Sequence, residues 1–256
     1  MELNRDYESA AIYKWRKKRK KAFVLFICIV GICFLVTRMV RVEDKTTVKV
    51  HNMHTEQNEK AIRYVASNMI KEDPKIAITF DDGPSPAWTP QLLDGLKERN
   101  VKATFFLIGE NAKNNPGLVK REAEEGHLIG NHTYHHVEIT RVPDETAQEE
   151  ILMTNEVITG ITGEEVSYMR PPFGVWQKNL ERKLDVMPVL WTIDPLDWTT
   201  DNEDEIINKV VTQAGENDII LLHDCYESSV NAALRIVDIL QKEGFGFVTV
   251  DELIMN

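Results

Sequence analysis

Residues 79–84 read Thr-Phe-Asp-Asp-Gly-Pro and follow Ile76-Ala77-Ile78, a short apolar run that is typical of a strand. Because Gly83-Pro84 is a turn signal, the two adjacent carboxylates lie where that strand ends. Within a strand, neighbouring side chains point to opposite faces and could not serve one site. At its end, a turn can bring both into one cleft, where one moves protons and the other holds a cation. A solvated turn is the simpler interpretation of this motif alone. A catalytic site is favoured only because residues later in the chain could act together with the two acids.

The chain around this turn alternates between strand-like and helix-like runs. Strands are predicted at 76–80, 102–107, 127–131, 166–169, 186–193, 218–223 and 245–250. Helices are predicted at 87–99, 111–125, 145–160, 175–184, 203–214 and 228–243. Such alternation predicts an α/β fold with a parallel sheet and helices outside it. About seven such units favour a closed or nearly closed barrel, in which chemistry gathers at the C-terminal ends of the strands.

A histidine-rich stretch, Gly130-Asn131-His132-Thr133-Tyr134-His135-His136, supplies candidate metal ligands, and it holds three of the seven histidines of the chain. His132 and His136 are four residues apart, so on a helical turn both imidazoles would face one way and bind one metal ion. Asp82 would add a carboxylate and leave coordination positions open, as a catalytic zinc site requires. A chance pair on a surface helix is the alternative, and His135 is not expected to be a ligand.

A proline-stiffened stretch, Met169-Arg170-Pro171-Pro172-Phe173-Gly174, follows another predicted strand. Two consecutive prolines restrict the backbone, so Arg170 would be held in place and the amide of Phe173 would point in a fixed direction. An arginine can orient a catalytic carboxylate through paired hydrogen bonds. Without the other motifs, this stretch would be an ordinary loop.

Two strand ends later in the chain carry acids, an indole and a histidine. The first is Trp191-Thr192-Ile193-Asp194-Pro195-Leu196-Asp197-Trp198, which has two acids and a flanking tryptophan near its end. A sugar could stack on that tryptophan, or the tryptophan could belong to the core. Ile219-Ile220-Leu221-Leu222-His223-Asp224 is an apolar strand that ends in a histidine. A histidine there can donate a proton to a leaving amine, and a nearby carboxylate would keep it charged.

In this order, the five stretches resemble the five motifs of the polysaccharide deacetylases of the NodB-homology type, carbohydrate esterase family 4. The resemblance covers residues 74–253. It implies a distorted (β/α)7 barrel that removes acetyl groups from N-acetylglucosamine units of a polysaccharide. It also implies one divalent metal ion, for which zinc is the first expectation and cobalt, manganese or nickel are alternatives.

The resemblance further implies roles for the acids and histidines at the first three motifs. Asp81 corresponds to the general base, and Arg170 to the group that orients it. Asp82, His132 and His136 correspond to the three metal ligands. The metal ligands implied by the family are the residues that the spacing indicated, whereas the assignment of Asp81 as the base comes with the family.

The remaining roles implied by the resemblance concern the leaving group and the substrate. His223 corresponds to the general acid, supported by the carboxylate of Asp197. Phe173, through its backbone N–H, corresponds to a group that stabilises the oxyanion, at a position where the family often has tyrosine. The residues expected to contact substrate are Phe173, Pro171, Trp198 and Leu221.

The first forty residues predict a membrane anchor. All residues of 14–21 except Trp15 are basic, which makes seven basic residues, and no charged residue occurs from Ala22 to Thr37. Residues 22–40 approach the ~20 apolar residues that span a bilayer, and the basic flank places residues 1–21 in the cytoplasm. A cleaved signal peptide and a buried core helix are the alternatives; the first would normally have a shorter basic region.

Behind the anchor, residues 41–73 are predicted to form a polar linker and an amphipathic helix over Glu56–Lys71. Residues 74–256 would be the catalytic domain. With the N-terminus inside, this arrangement predicts a single-pass protein of the cell membrane whose catalytic domain is extracellular.

Charge distribution restricts the partners. Residues 1–41 carry a net charge of +7, whereas the remainder carries −18. An acidic body argues against nucleic-acid binding, which needs a basic face, and a polysaccharide would have to be held by shape and hydrogen bonds. Cys225 is the one cysteine outside the apolar run, so it has no internal disulfide partner there and is expected to be a bystander. No protein partner is inferred.

Three functional hypotheses follow. The leading one is a membrane-anchored deacetylase of peptidoglycan N-acetylglucosamine, with chitin oligomers or another extracellular N-acetylated glycan as alternative substrates. The second is a catalytically silent glycan-binding module, against which the complete set of acid, base and metal residues argues. The third is a glycoside hydrolase with paired carboxylates, a chemistry that needs no histidine pair.

Overall fold

The computed structural model describes residues 73–177, 180 and 184–255. The predicted cytoplasmic tail (1–21) and anchor (22–40), and all of the predicted linker and helix (41–73) except residue 73, lie outside the described residues. Among the residues that are described, no helix has both the length and the apolar character needed to cross a membrane. The anchor therefore stays a prediction.

Strands and helices follow one another along the described part of the chain, which contains seven strands and seven α-helices. The strands are β1 (Lys75–Asp81), β2 (Thr104–Leu107), β3 (Leu128–Asn131), β4 (Tyr168–Met169), β5 (Met187–Pro188), β6 (Ile219–His223) and β7 (Gly246–Phe247). The helices are α1 (Thr89–Glu98), α2 (Gly109–Asn114), α3 (Pro116–Glu124), α4 (Asp144–Thr162), α5 (Glu203–Val211), α6 (Glu227–Lys242) and α7 (Val250–Met255). Single 3₁₀ turns occur at Pro172–Gly174 and Asp197–Thr199.

All pairings between these strands are parallel, and the order across the sheet is β5-β4-β3-β2-β1-β6. The short β7 pairs with the start of β1, at Lys75 and Ile76. Ile193 bridges to Ile220 of β6, so the stretch that begins as β5 beside β4 reaches the opposite edge of the sheet. The sheet therefore curls into a half-barrel, and the predicted α/β class with a parallel sheet is confirmed.

The two faces of β1 are both buried, as expected for a parallel strand covered on both sides. Ile76, Ile78 and Phe80 join the main hydrophobic core between the sheet and the helices. Ala77 belongs to a second cluster together with Phe106 of β2. Because side chains alternate along a strand, the odd-numbered residues of β1, including its last one, face away from the main core.

Three predicted elements that are described in full differ from the structure. The predicted helix 111–125 is two helices, α2 and α3, because Pro116 has no N–H to continue the first and is well suited to begin the second. The predicted strand 186–193 pairs in register only over β5 and then crosses towards β6. The predicted strand 245–250 ends at Phe247. Thr249 then caps α7, since its N–H donates to the Glu252 carboxylate in the manner of a capping box.

The predicted helix 175–184 is only partly described. Residues 175–177 are not helical, and Leu180 has a 3₁₀ conformation. The other residues of that prediction, apart from 184, lie outside the described part of the chain.

Candidate active site

The C-terminal ends of the central strands bring the predicted site residues to one edge of the sheet. Asp81, the last residue of β1, lies opposite His223, the last residue of β6. Asn131 at the end of β3 lies opposite Met169 at the end of β4, and β2 joins the two pairs. The residues that directly follow these ends therefore begin at the same edge, as the parallel alternation predicted.

Asp82, His132 and His136 form a cluster that could hold a metal ion. One ligand atom from each lies within 4.8 Å of the others. The Nε2 atoms of both imidazoles are 3.4 Å from Oδ1 of Asp82. Nδ1 of His132 is 2.6 Å from the carbonyl oxygen of Arg170, so its N–H donates to that carbonyl and leaves the Nε2 lone pair free.

The chemistry of this donor set fits a divalent cation. Oδ1 of Asp82 is buried and has no hydrogen-bond partner among the residues that the structure describes. Burial acts to raise the pKa of Asp82, but the imidazoles of His132, His223 and His136 outweigh it and lower the pKa. Burial, followed by the charge of His132, lowers the pKa of His136. One carboxylate with two imidazoles is the donor set of a zinc site that keeps coordination positions open.

The backbone that carries the two histidines is not the helical turn that their spacing predicted. Residues 132–136 form a loop, and Thr133 (φ 62°) and His136 (φ 55°) adopt left-handed backbone conformations that residues with a side chain rarely take. The ring centroids of His132 and His136 nevertheless lie only 4.9 Å apart. The spacing prediction was therefore wrong about the helix, although the two rings do converge.

Asp81 is held by a fully buried arginine. Nη1 of Arg170 donates to Oδ1 of Asp81 at 2.8 Å and to the hydroxyl of Thr79 at 2.7 Å. The remaining guanidinium nitrogens donate to carbonyls, including that of Val189 at 3.2 Å, and the guanidinium lies 4.3 Å from the centroid of the Phe106 ring. Because its donors have partners and its plane is packed on an aromatic ring, Arg170 can fix the Asp81 carboxylate in one orientation.

His223 forms a pair with Asp197, which is almost fully buried. Oδ1 of Asp197 lies 2.8 Å from Nδ1 of His223, and Oδ2 accepts the backbone N–H of the same residue, also at 2.8 Å. Burial opposes protonation of the ring, but the hydrogen bond and charge of Asp197, followed by the charges of Asp81 and Asp82, raise the pKa of His223 to about 9. The ring is therefore a proton donor at neutral pH, with its Nδ1–H directed to Asp197.

Comparison with known proteins agrees with this geometry. A family model described as polysaccharide deacetylase matches residues 68–189. A peptidoglycan-N-acetylglucosamine deacetylase of Bacillus cereus is 39% identical over 186 residues, which are 70% of this chain and 68% of that protein. The chain belongs to the polysaccharide deacetylase family.

Two further relatives show how much of each protein is shared. Peptidoglycan-N-acetylglucosamine deacetylase PgdA of Listeria monocytogenes is 37% identical over 216 residues. The match covers 82% of this family member but only 46% of PgdA, so the chain spans about half the length of that relative. The structure of peptidoglycan deacetylase PdaC from Bacillus subtilis superposes with a TM-score of 0.69 at 38% identity, over 71% of this chain and 90% of that one.

Exposed aromatic side chains lie beside the Asp82–His132–His136 cluster and the His223–Asp197 pair of this deacetylase-family chain. Phe173, in a left-handed conformation (φ 61°), is 61% exposed, and its ring centroid lies 5.0 Å from that of His136. Trp198 is 56% exposed and directly follows Asp197. Tyr226 is also exposed, and its ring lies 6.4 Å from that of His223. The sequence did not single out Tyr226, although it follows His223 by only three residues.

Two other residues predicted to contact substrate are buried. Leu221 is 4% exposed and lies opposite Thr79, and Pro171 is buried as well. Leu221 lies outside the main core, unlike its neighbours Ile220 and Leu222, so it faces the same side of β6 as His223. Their contacts with substrate stay a prediction.

Buried polar residues around the site were missed by sequence reasoning. Asp224 is fully buried, accepts a hydrogen bond from the hydroxyl of Thr89 and lies so close to Gly83 that a Cβ there would meet Oδ1 at 2.5 Å. Its carboxyl thus packs against the turn that follows Asp82. Next to it, burial raises the pKa of Cys225 to about 12, which keeps this side chain a thiol. The signal for Asp224 was its position directly after a strand end.

Proposed function

We propose that this chain is a metal-dependent deacetylase that hydrolyses the N-acetyl group of N-acetylglucosamine residues in a cell-wall polysaccharide, peptidoglycan first of all. The observation that carries the proposal is the convergence of three units at one edge of the sheet. These units are the Asp82–His132–His136 cluster, the Asp81–Arg170 pair and the His223–Asp197 pair. Together they provide a cation site, a fixed carboxylate and a charged proton donor, a combination that can hydrolyse an amide.

The cation site is proposed to hold one divalent metal ion, zinc first, with cobalt, manganese or nickel as alternatives. Asp82, His132 and His136 would bind it through one oxygen and two Nε2 nitrogens. When bound, such an ion supplies Lewis acidity that polarises an amide carbonyl and makes water a better nucleophile.

The residues of the chain divide the proton transfers between them. Asp81, held by Arg170, accepts a proton from the water that attacks the acetyl carbon. The backbone N–H of Phe173 is proposed to donate to the carbonyl oxygen as negative charge develops on it. His223 then donates its Nε2 proton to the departing sugar nitrogen while Asp197 stabilises the imidazolium. The C–N bond breaks, water contributes OH to the acetyl group, and acetate and a free amine result.

Substrate contact is proposed for the aromatic side chains that surround these groups. Phe173 and Trp198 present large exposed ring surfaces beside His136 and Asp197, respectively. Aromatic faces suit the apolar faces of sugar rings, and the acidic charge of the chain gives no attraction for an anionic polymer. Leu221 and Pro171 would then shape the pocket from beneath.

The location follows from the N-terminal sequence alone. Residues 1–21 are proposed to be a cytoplasmic tail, 22–40 a single transmembrane anchor and 41–73 a linker, followed by the extracellular catalytic domain over 74–256. The support is the strongly basic segment that precedes an uncharged apolar run. A barrel tethered in this way would reach cell-wall polymer at the outer face of the membrane.

The choice of peptidoglycan rests on the names of the relatives, two of which are called peptidoglycan-N-acetylglucosamine deacetylases. The test is to incubate the full-length protein, purified in mild detergent and loaded with zinc, with peptidoglycan and separately with chitin oligomers. Acetate is then measured, and the products are analysed by mass spectrometry. Loss of one acetyl mass from N-acetylglucosamine residues of peptidoglycan is expected.

Each alternative has its own result in the same assay. Acetate from chitin oligomers but not from peptidoglycan would indicate another N-acetylated glycan as substrate. Shortened chains without acetate would indicate a glycoside hydrolase. Binding to glycan without any acetate would indicate a catalytically silent module.

A further inference from the structure

The loop that carries the two histidine ligands lacks the hydrogen bonds of a helix. Thr133 and His136 have positive φ angles of 62° and 55°, which oppose the preference of residues with a side chain. Such conformations persist only where surrounding structure fixes them. The relative position of His132 and His136, and therefore the metal site, depends on whatever holds this backbone.

The carbonyl groups of the loop are held by the start of α2. The N–H of Gly109 donates to the carbonyl of Thr133 at 2.9 Å, and the N–H of Glu110 donates to that of Tyr134 at 3.1 Å. A side chain at position 109 would collide with Tyr134, so the glycine permits this close approach. The helix thus satisfies two acceptors of the loop with N–H groups that have no partner within the helix.

Three N–H groups of the loop are held by side chains instead. Oε2 of Glu150 accepts the N–H of Tyr134 at 3.0 Å and the N–H of His135 at 2.8 Å. Oε1 of the same carboxylate is 2.7 Å from Nδ1 of His135. Oδ1 of Asn131 accepts the N–H of Thr133 at 2.7 Å. Glu150 therefore contacts both residues at the middle of the loop, between the two proposed ligands.

Glu150 reaches the loop from α4, where it is 7% exposed. A buried carboxylate needs hydrogen-bond partners around it, and here two backbone N–H groups and one imidazole contact it. The neighbouring residue, Glu149, has the same side chain but is exposed. Comparing the same substitution at Glu149 and at Glu150 therefore separates the effect of losing a carboxylate from α4 from the effect of losing the contact with the loop.

We propose that Glu150 is a positioning residue for the metal centre. By holding the N–H groups of Tyr134 and His135, its carboxylate keeps His132 and His136 in the arrangement in which both Nε2 atoms face Asp82. The inference rests on the proposed function, because it takes these three residues as the cation site. Removing the carboxylate acceptors is expected to weaken zinc binding about 10- to 100-fold, the usual effect of losing a group that orients metal ligands.

The test compares zinc dissociation constants of full-length protein in mild detergent, without a polyhistidine tag, by competition with a chromophoric chelator. Glu150→Met keeps the length of the side chain and removes its acceptors, so weaker binding is expected. Glu150→Gln keeps one oxygen that can accept both N–H groups, so most of the affinity should return. Glu149→Met is the matched control and should bind zinc as the parent does.

The measurement is made below the unfolding temperature of every metal-free variant, so that a change in affinity does not reflect loss of the fold. A Glu150→Met protein with parental affinity overturns the inference, even if its metal-free form is less stable. Should that variant not fold, Glu150→Asp, shorter by one methylene, is measured, and parental affinity there overturns the inference equally. Failure of the parent itself to bind zinc would contradict the proposed metal site, which distinguishes the two proposals.

Discussion

Replacing Asp197 by asparagine tests the assignment of His223 as proton donor. The change keeps the shape of the side chain and an oxygen that can accept the ring N–H, but it removes the negative charge. Asp197 makes two contacts of 2.8 Å with His223, one to Nδ1 and one to the backbone N–H. A proton donor acts only while it is protonated, so activity should fall as pH rises through its pKa.

The size of the effect follows from the environment of His223. Asp197 is the main cause that raises the pKa to about 9 from an ordinary 6.5, against burial, which lowers it. Without that charge, the pKa should return towards 6.5. At pH 7.5 the protonated fraction would fall from nearly complete to about a tenth, a loss of roughly tenfold in kcat/KM from protonation alone. A cation bound at Asp82 offsets part of the Asp82 charge in parent and variant alike, so their comparison isolates Asp197.

The assay is acetate release from an acetylated glycan between pH 5 and pH 10, with saturating zinc. The alkaline limb of the kcat/KM profile should move to lower pH in Asp197→Asn, and the deficit should shrink below pH 6. Asp201→Asn changes an exposed acid close by in the sequence and should leave the limb in place. An alkaline limb at the same pH in Asp197→Asn and the parent would refute the assignment of His223 as the acid.

Three other changes test the base, the metal site and an unsupported buried charge. Asp81→Asn should bind zinc like the parent yet lose about 10²- to 10⁴-fold in turnover; an active asparagine variant would remove Asp81 from the role of base. His132→Ala should bind zinc poorly in chelator competition, and unchanged zinc content would exclude it as a ligand. Burial, followed by the charge of Asp224, raises the pKa of Glu122 well above its ordinary 4.5, and neither Glu122 oxygen has a hydrogen-bond partner among the described residues. Because the pKa of Glu122 is raised in the folded state, its ionisation makes the fold less stable as pH rises above 4.5. Methionine cannot ionise, so Glu122→Met should gain about 1–4 kcal/mol in the free energy of unfolding at pH 8 and less at pH 5. Urea denaturation at both pH values measures this, and an equal difference at each would contradict the explanation.

The location of the candidate site could be predicted because it depends on local signals and a general property of parallel sheets. The apolar run before Gly83-Pro84 predicted a strand over 76–80, and β1 ends one residue later, at Asp81. An apolar strand that ends in His223 pairs with β1 so that the two terminal residues face each other. Once the strands are parallel and adjacent, their C-terminal ends must share one edge. Spacing and residue type indicated the metal ligands and His223 as a proton donor, whereas the assignment of Asp81 as the base came from the resemblance to a family.

The backbone of the histidine loop could not be predicted in the same way. A spacing of four residues is typical of one helical turn, and that local pattern gave the wrong conformation for 132–136. The conformation depends on a hydrogen bond donated by Gly109 and on hydrogen bonds accepted by Glu150, both of which are distant in sequence. Neither spacing nor propensity contains those contacts. Pro116 shows the converse case: the prediction of one helix over 111–125 was wrong, although a proline within that range is a local signal for the start of α3.

The sequence did contain a signal for Glu150, in the periodicity of α4. The buried residues of this helix are Ala147, Glu150, Ile151, Thr154 and Ile158, which recur at helical spacing, so a glutamate occupies the apolar face. A charge in that position must find donors or destabilise the fold. Glu150 has three donors from the histidine loop, whereas Glu122 on α3 has none among the described residues. A glutamate on the buried face of a helix is therefore proposed to position the site in α4, where it is Glu150, and to destabilise the fold in α3, where it is Glu122. Only the hydrogen-bond partners seen in the structure distinguish the two cases.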